Sequence, residues 1–123
     1  MSVSTPINNP PNNNPIVPFN PEELGLPGIG YGEFDLTGLA DEKAPFRTSL
    51  ISVEVGGKSP IDEHAVRECW YIISGTGILT YQGEDNQVKA KQLLFFESHH
   101  SHFVQNTGNE ELLLLSIWWP RKE

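Results

Sequence analysis

After Pro45 the chain runs as short β-prone stretches broken by turn clusters, and that alternation limits the possible fold more than any other feature. FRTSLISVEV is followed by GGKSP, ECWYIIS by GTG, and ILTYQ by GEDN; then come QVKA, LLFFE, HFVQN, the turn TGNEE and LLLLSIWW. No amphipathic stretch of three helical turns follows residue 45, so the pattern predicts an all-β antiparallel roll. LLFF is apolar throughout and LLLLSIWW is apolar but for Ser116, which implies strands covered on both faces. One face fills the roll, and the other calls for a subunit interface, so a homodimer is expected.

Upstream, residues 1–21 contain six Pro, six Asn and no charge. Proline suppresses helix there and asparagine favours turns, so this segment is expected outside the core. It is either a flexible tail or an extended arm on a neighbouring subunit, with Ile16, Val17 and Phe19 as its apolar anchors. Residues 22–123 then form a single domain, in which EFDLTGL is the best strand candidate before Pro45. At 123 residues the chain is too short for a doubly wound nucleotide-binding sheet plus a substrate domain, or for an α/β barrel.

Eight Lys and Arg against 16 Asp and Glu give a formal charge of -8. That balance offers nothing to phosphate backbones or anionic membranes, so no nucleic-acid or membrane partner is expected, and the partner is a small-molecule ligand. Cys69 is the single cysteine, so no disulfide can close within the chain, which suits a reducing compartment. The N-terminus lacks a basic region followed by an apolar run, and a cytoplasmic location is expected.

All four histidines fall in two short segments, His64 in SPIDEHAVRECW and His99, His100 and His102 in ESHHSHFVQN. Alternate residues of a strand share a face, so Asp62 and His64 can point the same way, with Glu68 returning to that face four residues on. His102 reaches them from a later strand. Imidazole and carboxylate together suit borderline and hard divalent cations.

These residues resemble the cupin superfamily. Its first motif, G-x5-H-x-H-x3-E-x6-G, is met by Gly56, Asp62, His64, Glu68 and Gly75 at every spacing, with Asp62 in place of the first histidine. Its second, G-x5-P-x-G-x2-H-x3-N, aligns on Lys91, Glu97, His99, His102 and Asn106, where only the His and Asn are kept. The resemblance covers residues 45 to 119. It implies an antiparallel jelly-roll β-barrel, the double-stranded β-helix, with one divalent transition metal (Fe, Mn, Ni or Zn) held inside the mouth by His64, Glu68 and His102.

Asp62 either coordinates as a fourth ligand or stands back beside the others. Standing back, it leaves two histidines and one carboxylate, the set associated with non-haem Fe(II) oxygen chemistry. The resemblance allows a metal-dependent dioxygenase, or an isomerase or lyase acting on a sugar or keto acid. The alternative is a non-catalytic module that binds a sugar or other small molecule. No catalytic residue is singled out. Three residues are candidates for substrate binding: Arg47, whose alternation with Ser49, Ile51 and Val53 gives it a cavity face or a surface position; Trp70, which shares strand parity with Glu68; and His100, above the metal.

Overall fold

A computed structural model describes residues 15–38 and 44–120. Nine strands are present among them: β1 (Phe19–Glu22), β2 (Ile29–Phe34), β3 (Arg47–Val53), β4 (Arg67–Ser74), β5 (Thr76–Tyr81), β6 (Glu84–Lys89), β7 (Leu93–Phe96), β8 (His102–Asn106) and β9 (Leu112–Trp119). A six-stranded sheet in the order β1-β2-β3-β9-β4-β7 and a three-stranded sheet in the order β6-β5-β8 form the roll, and all paired strands are antiparallel. The all-β architecture is the one expected from the run-and-turn pattern.

The elements before Pro45 differ from expectation. Of EFDLTGL only Glu33 and Phe34 are in a strand, the end of β2 over Ile29–Phe34, which stops where Asp35 Oδ1 accepts hydrogen bonds from Thr37 N at 3.0 Å and Thr37 Oγ1 at 2.5 Å; Leu39 lies outside the described residues. That local turn competes with continued pairing. β1 falls within the last residues of the Asn/Pro-rich segment, where the ring of Phe19 packs on Phe34 at 4.9 Å and above Gly32. Pro21 is tolerated because β1 is an edge strand. Residues 1–14 of the expected tail lie outside the described residues.

The inner faces of the two sheets enclose a core of Val53, Trp70, Ile72, Leu79, Val88, Phe96, Val104, Leu112 and Leu114. Register places Val53 opposite Leu112 and Ile51 opposite Leu114 across β3 and β9, with Ile72 beside Leu114 from β4. One row further along, Ser49 faces Ser116, and Ser116 faces Trp70. Large apolar side chains therefore close one end of the roll, and small hydroxyl side chains leave space at the other.

Both glycines that match the first motif have positive φ, 79° at Gly56 and 92° at Gly75. A Cβ on Gly75 would also lie 2.7 Å from Glu111 O and 2.8 Å from Leu112 Cα, so the turn into β5 needs glycine twice over. In the degenerate second motif, Lys91 (φ 73°) and His99 (φ 61°) occupy the glycine positions and keep the left-handed backbone.

Candidate metal centre in the roll

Asp62, His64 and Glu68 do not share one strand. Residues 56–62 run beside β8 as an irregular extension of the smaller sheet: Ser59 N donates to Val104 O at 2.9 Å, and Asp62 and His102 exchange backbone hydrogen bonds at 3.0 Å. The chain then crosses to the larger sheet, where β4 begins at Arg67. His64 lies on the crossing itself. The two sheets thus bring Asp62 and His102 to face Glu68, a convergence that strand parity alone does not produce.

Glu68 and His102 form the buried part of the site. Glu68 Oε2 accepts hydrogen bonds from Trp70 Nε1 at 2.8 Å and Ser116 Oγ at 2.5 Å, while its Oε1 lies 3.2 Å from His102 Nε2. Burial pushes the Glu68 carboxyl up, but His102, Ser116 and Trp70 together outweigh it and hold the group below its ordinary range. His102 is 3% exposed, stacked on Phe96 at 4.0 Å with Trp70 edge-on at 5.3 Å.

The second ring nitrogen settles the tautomer. His102 Nδ1 lies 2.9 Å from His100 O, and a carbonyl only accepts, so Nδ1 carries the proton. A neutral ring then turns the Nε2 lone pair toward the Glu68 carboxylate. Two electron-rich atoms at that distance require positive charge, either a second ring proton or a cation between them. A carbonyl that fixes Nδ1–H and frees Nε2 is also how metal-binding histidines are oriented.

Asp62 and His64 form the more open part, with Asp62 Oδ1 3.4 Å from His64 Nε2 and the His64 side chain 50% exposed. Burial raises the Asp62 carboxyl, His64 draws it back, and Glu68 pushes it up again. The His64 and His102 ring centroids are 6.4 Å apart. Two imidazoles held at about 2.0–2.1 Å from one ion at a tetrahedral or right angle lie closer than this. Accordingly, among the described residues no three His, Cys, Asp or Glu side chains converge on one point. The donor types nevertheless fit a divalent ion, with Glu68 and His102 side by side and His64 half exposed next to Asp62.

Asp62, His64 and Glu68 line a cavity of about 550 Å³, together with Leu24, Ile29, Tyr31, Ser49, Ile51, Ser59, Pro60, Ala65, Val66, Trp70, Ser116 and Trp118. Trp70 does line the cavity, as its parity suggests, and in addition anchors Glu68. Arg47 keeps the inward parity but lies beyond Ser49 at the mouth. Its side chain is 67% exposed, paired with Glu33 and 5.6 Å from the Trp118 ring, and does not line the cavity. His100 does not line it either: its Nδ1 lies 2.6 Å from Tyr81 Oη, and its contribution is the carbonyl that orients His102. Asn106 of the second motif is a structural tie, donating to Val53 O and Glu110 O at 2.8 Å.

Ser116, Tyr31 and Ser49 were not singled out by sequence. Ser116 left a signal, a lone hydroxyl in LLLLSIWW, and Ser49 shares the strand parity of Ile51 and Val53; Tyr31 left none.

The fold is that of a cupin, and a cupin-domain family model matches residues 49–118; the chain belongs to that family. Among its relatives is an oxalate-binding protein of Thermotoga maritima, 28% identical over 104 residues that span 80% of this chain and 86% of that protein. Among solved structures, a predicted oxalate decarboxylase of Thermotoga maritima superposes with a TM-score of 0.72 at 22% identity, covering 86% of this chain and 99% of the other. An RmlC-like cupin of Shewanella frigidimarina superposes at 0.67 and 14% identity, covering 89% of each. These two likenesses speak to the fold.

Proposed function

We propose that the protein binds one divalent transition-metal ion (Fe, Mn, Ni or Zn) through His64, Glu68 and His102, with Asp62 beside them, and acts there on a small oxygenated molecule. The observation that carries this reading is the Glu68–His102 contact. Its 3.2 Å approach, with Nδ1 already committed to His100 O, is satisfied by a cation. A bound divalent ion supplies polarisation of a ligand's oxygen atoms. Trp70 and Ser116 hold Glu68 in place and ionised, and the His100 carbonyl holds His102 in the metal-ready tautomer. Asp62, raised by burial and adjacent to His64, is the group available to hold or release a proton at the ligand. The Thermotoga maritima oxalate-binding relative supports a small carboxylate or related oxygen ligand.

Equilibrium dialysis of the full chain against Mn²⁺, Ni²⁺ and Zn²⁺, read by elemental mass spectrometry, tests the site. About one ion per chain is expected, lost on chelation. No retention of any of these ions at micromolar concentration overturns the reading.

We also propose that a second copy of the chain covers the outer face of β4, β7 and β9. Leu93 and Phe95 are 65% and 51% exposed there, beside Tyr71 and Ile73. Arg67, at the edge of this face, is held by Glu97 at 2.6 Å. On a chain of charge -8, an uncharged face gives charged partners no hold, whereas a two-fold axis lets it meet itself.

A further inference from the structure

The cavity is built for a different kind of molecule from oxalate. Its ionisable groups are Asp62, His64 and Glu68, with Ser116 behind Glu68, and its other polar lining is the hydroxyls of Tyr31, Ser49 and Ser59. The remaining walls are hydrocarbon and aromatic surface from Leu24, Ile29, Ile51, Pro60, Val66 and Trp118. About 550 Å³ lies within the range that takes ligands much larger than two linked carboxylates. A wholly polar molecule would leave those walls facing water.

Charge points the same way. Among the described residues no lysine or arginine lines the cavity, and Arg47 at its mouth is already engaged by Glu33. Ionised Asp62 and Glu68 would bring two negative charges, so a divalent ion at this site would leave it with no net charge. Among the described residues a dianion finds neither an unengaged fixed cation nor a net positive field there. A neutral or singly charged head loses little by this, and a hydrocarbon body gains the apolar walls.

We propose that the ligand is a neutral or singly charged amphipathic molecule whose oxygen-bearing head sits at Asp62, His64 and Glu68 and whose aromatic or branched hydrocarbon body lies against Leu24, Ile29, Ile51, Val66 and Trp118. The placement of the head rests on the metal reading above; the placement of the body rests on the cavity walls alone.

Calorimetric titration of the full chain, metal-free and Zn²⁺-loaded, with phenylpyruvate, pyruvate and oxalate separates the two. Phenylpyruvate and pyruvate share one keto-acid head and differ in the body; oxalate is a dianion with no body. Phenylpyruvate should bind at least about tenfold tighter than pyruvate in both forms, since burial of a phenyl group removes ample apolar area from water. Oxalate should be the weakest of the three in the Zn²⁺ form. Leu24→Ser, at the exposed mouth, should weaken phenylpyruvate several-fold and leave pyruvate unchanged. Oxalate binding as tightly as phenylpyruvate, pyruvate matching phenylpyruvate, or no binding of any of the three overturns the ligand class. Failure to load Zn²⁺ overturns the metal reading instead, and the metal-free titration still decides the body.

Discussion

Asp62 and His102 exchange both backbone hydrogen bonds, N to O at 3.0 Å in each direction. Residues paired this way present their side chains on one face, so the carboxyl of Asp62 and the ring of His102 share a side of the sheet wherever the rest of the crossing segment moves. The carboxyl is held there at a cost, because burial disfavours its charge and Glu68 adds to the penalty.

The first prediction follows from that cost. The folded value for Asp62 lies above its unfolded value, so its contribution to stability is most favourable when protonated and declines as pH rises through the folded value. Asp62→Asn should therefore raise the Tm of the metal-free protein at pH 7 and weaken Zn²⁺ binding about tenfold or more. Thermal melts in chelator, paired with dialysis, check both. A lower Tm in the Asn variant contradicts the sign.

Glu68 has the opposite sign. Its folded value is held below the ordinary 4.5, so its stabilising contribution is present above that pH and is lost as pH falls from there through the folded value. Glu68→Gln should cost about 1–3 kcal/mol at pH 7 through weakened bonds to Trp70 and Ser116, and the difference should shrink in acid. Urea unfolding at pH 7 and pH 3.5 reads it.

The two histidines should separate under mutation. His102 is packed between Phe96 and Trp70, so His102→Ala should cost about 2–4 kcal/mol as well as metal binding. His64 is half exposed, so His64→Ala should stay within about 0.5 kcal/mol of the parent while still losing the metal. Zn²⁺ retained at full occupancy by both variants removes them from the site.

Lys91 tests the inherited backbone. At φ 73° a β-branched side chain is strongly disfavoured, so Lys91→Val should destabilise by more than about 1 kcal/mol. Lys91→Gly should be neutral or stabilising by up to about 1 kcal/mol. Equal midpoints for the two variants in urea would argue against left-handed strain at this position.

Light scattering should show a dimer for the parent chain. Phe95→Lys, which places charge on the outer face, should give a folded monomer of unchanged secondary structure by circular dichroism. A parent that runs as a monomer at working concentration ends the interface proposal.

The sequence alone carried the β character after Pro45 because a two-residue period and a turn are local properties. HFVQN and LLLLSIWW became β8 and β9 over the residues expected. Motif spacing likewise singled out Asp62, His64, Glu68 and His102 as one set. It also pointed to the turns at Gly56 and Gly75, since positive φ leaves its mark in residue type.

Tertiary structure decided what depends on a partner distant in the chain. Arg47 has the inward parity that its strand predicts, yet Glu33 and Trp118 hold it at the mouth, and both reach it across sheet neighbours. Ser116 and Trp70 became the donors to Glu68 because β9 pairs with β4 in one register; a slip of a single residue would turn that hydroxyl outward. Asp62 and Glu68 meet because the chain leaves one sheet and enters the other between them, a path selected by packing the two sheets over a shared core. Period and turn are written in neighbouring residues, whereas register and sheet crossing are chosen by the free energy of the whole roll.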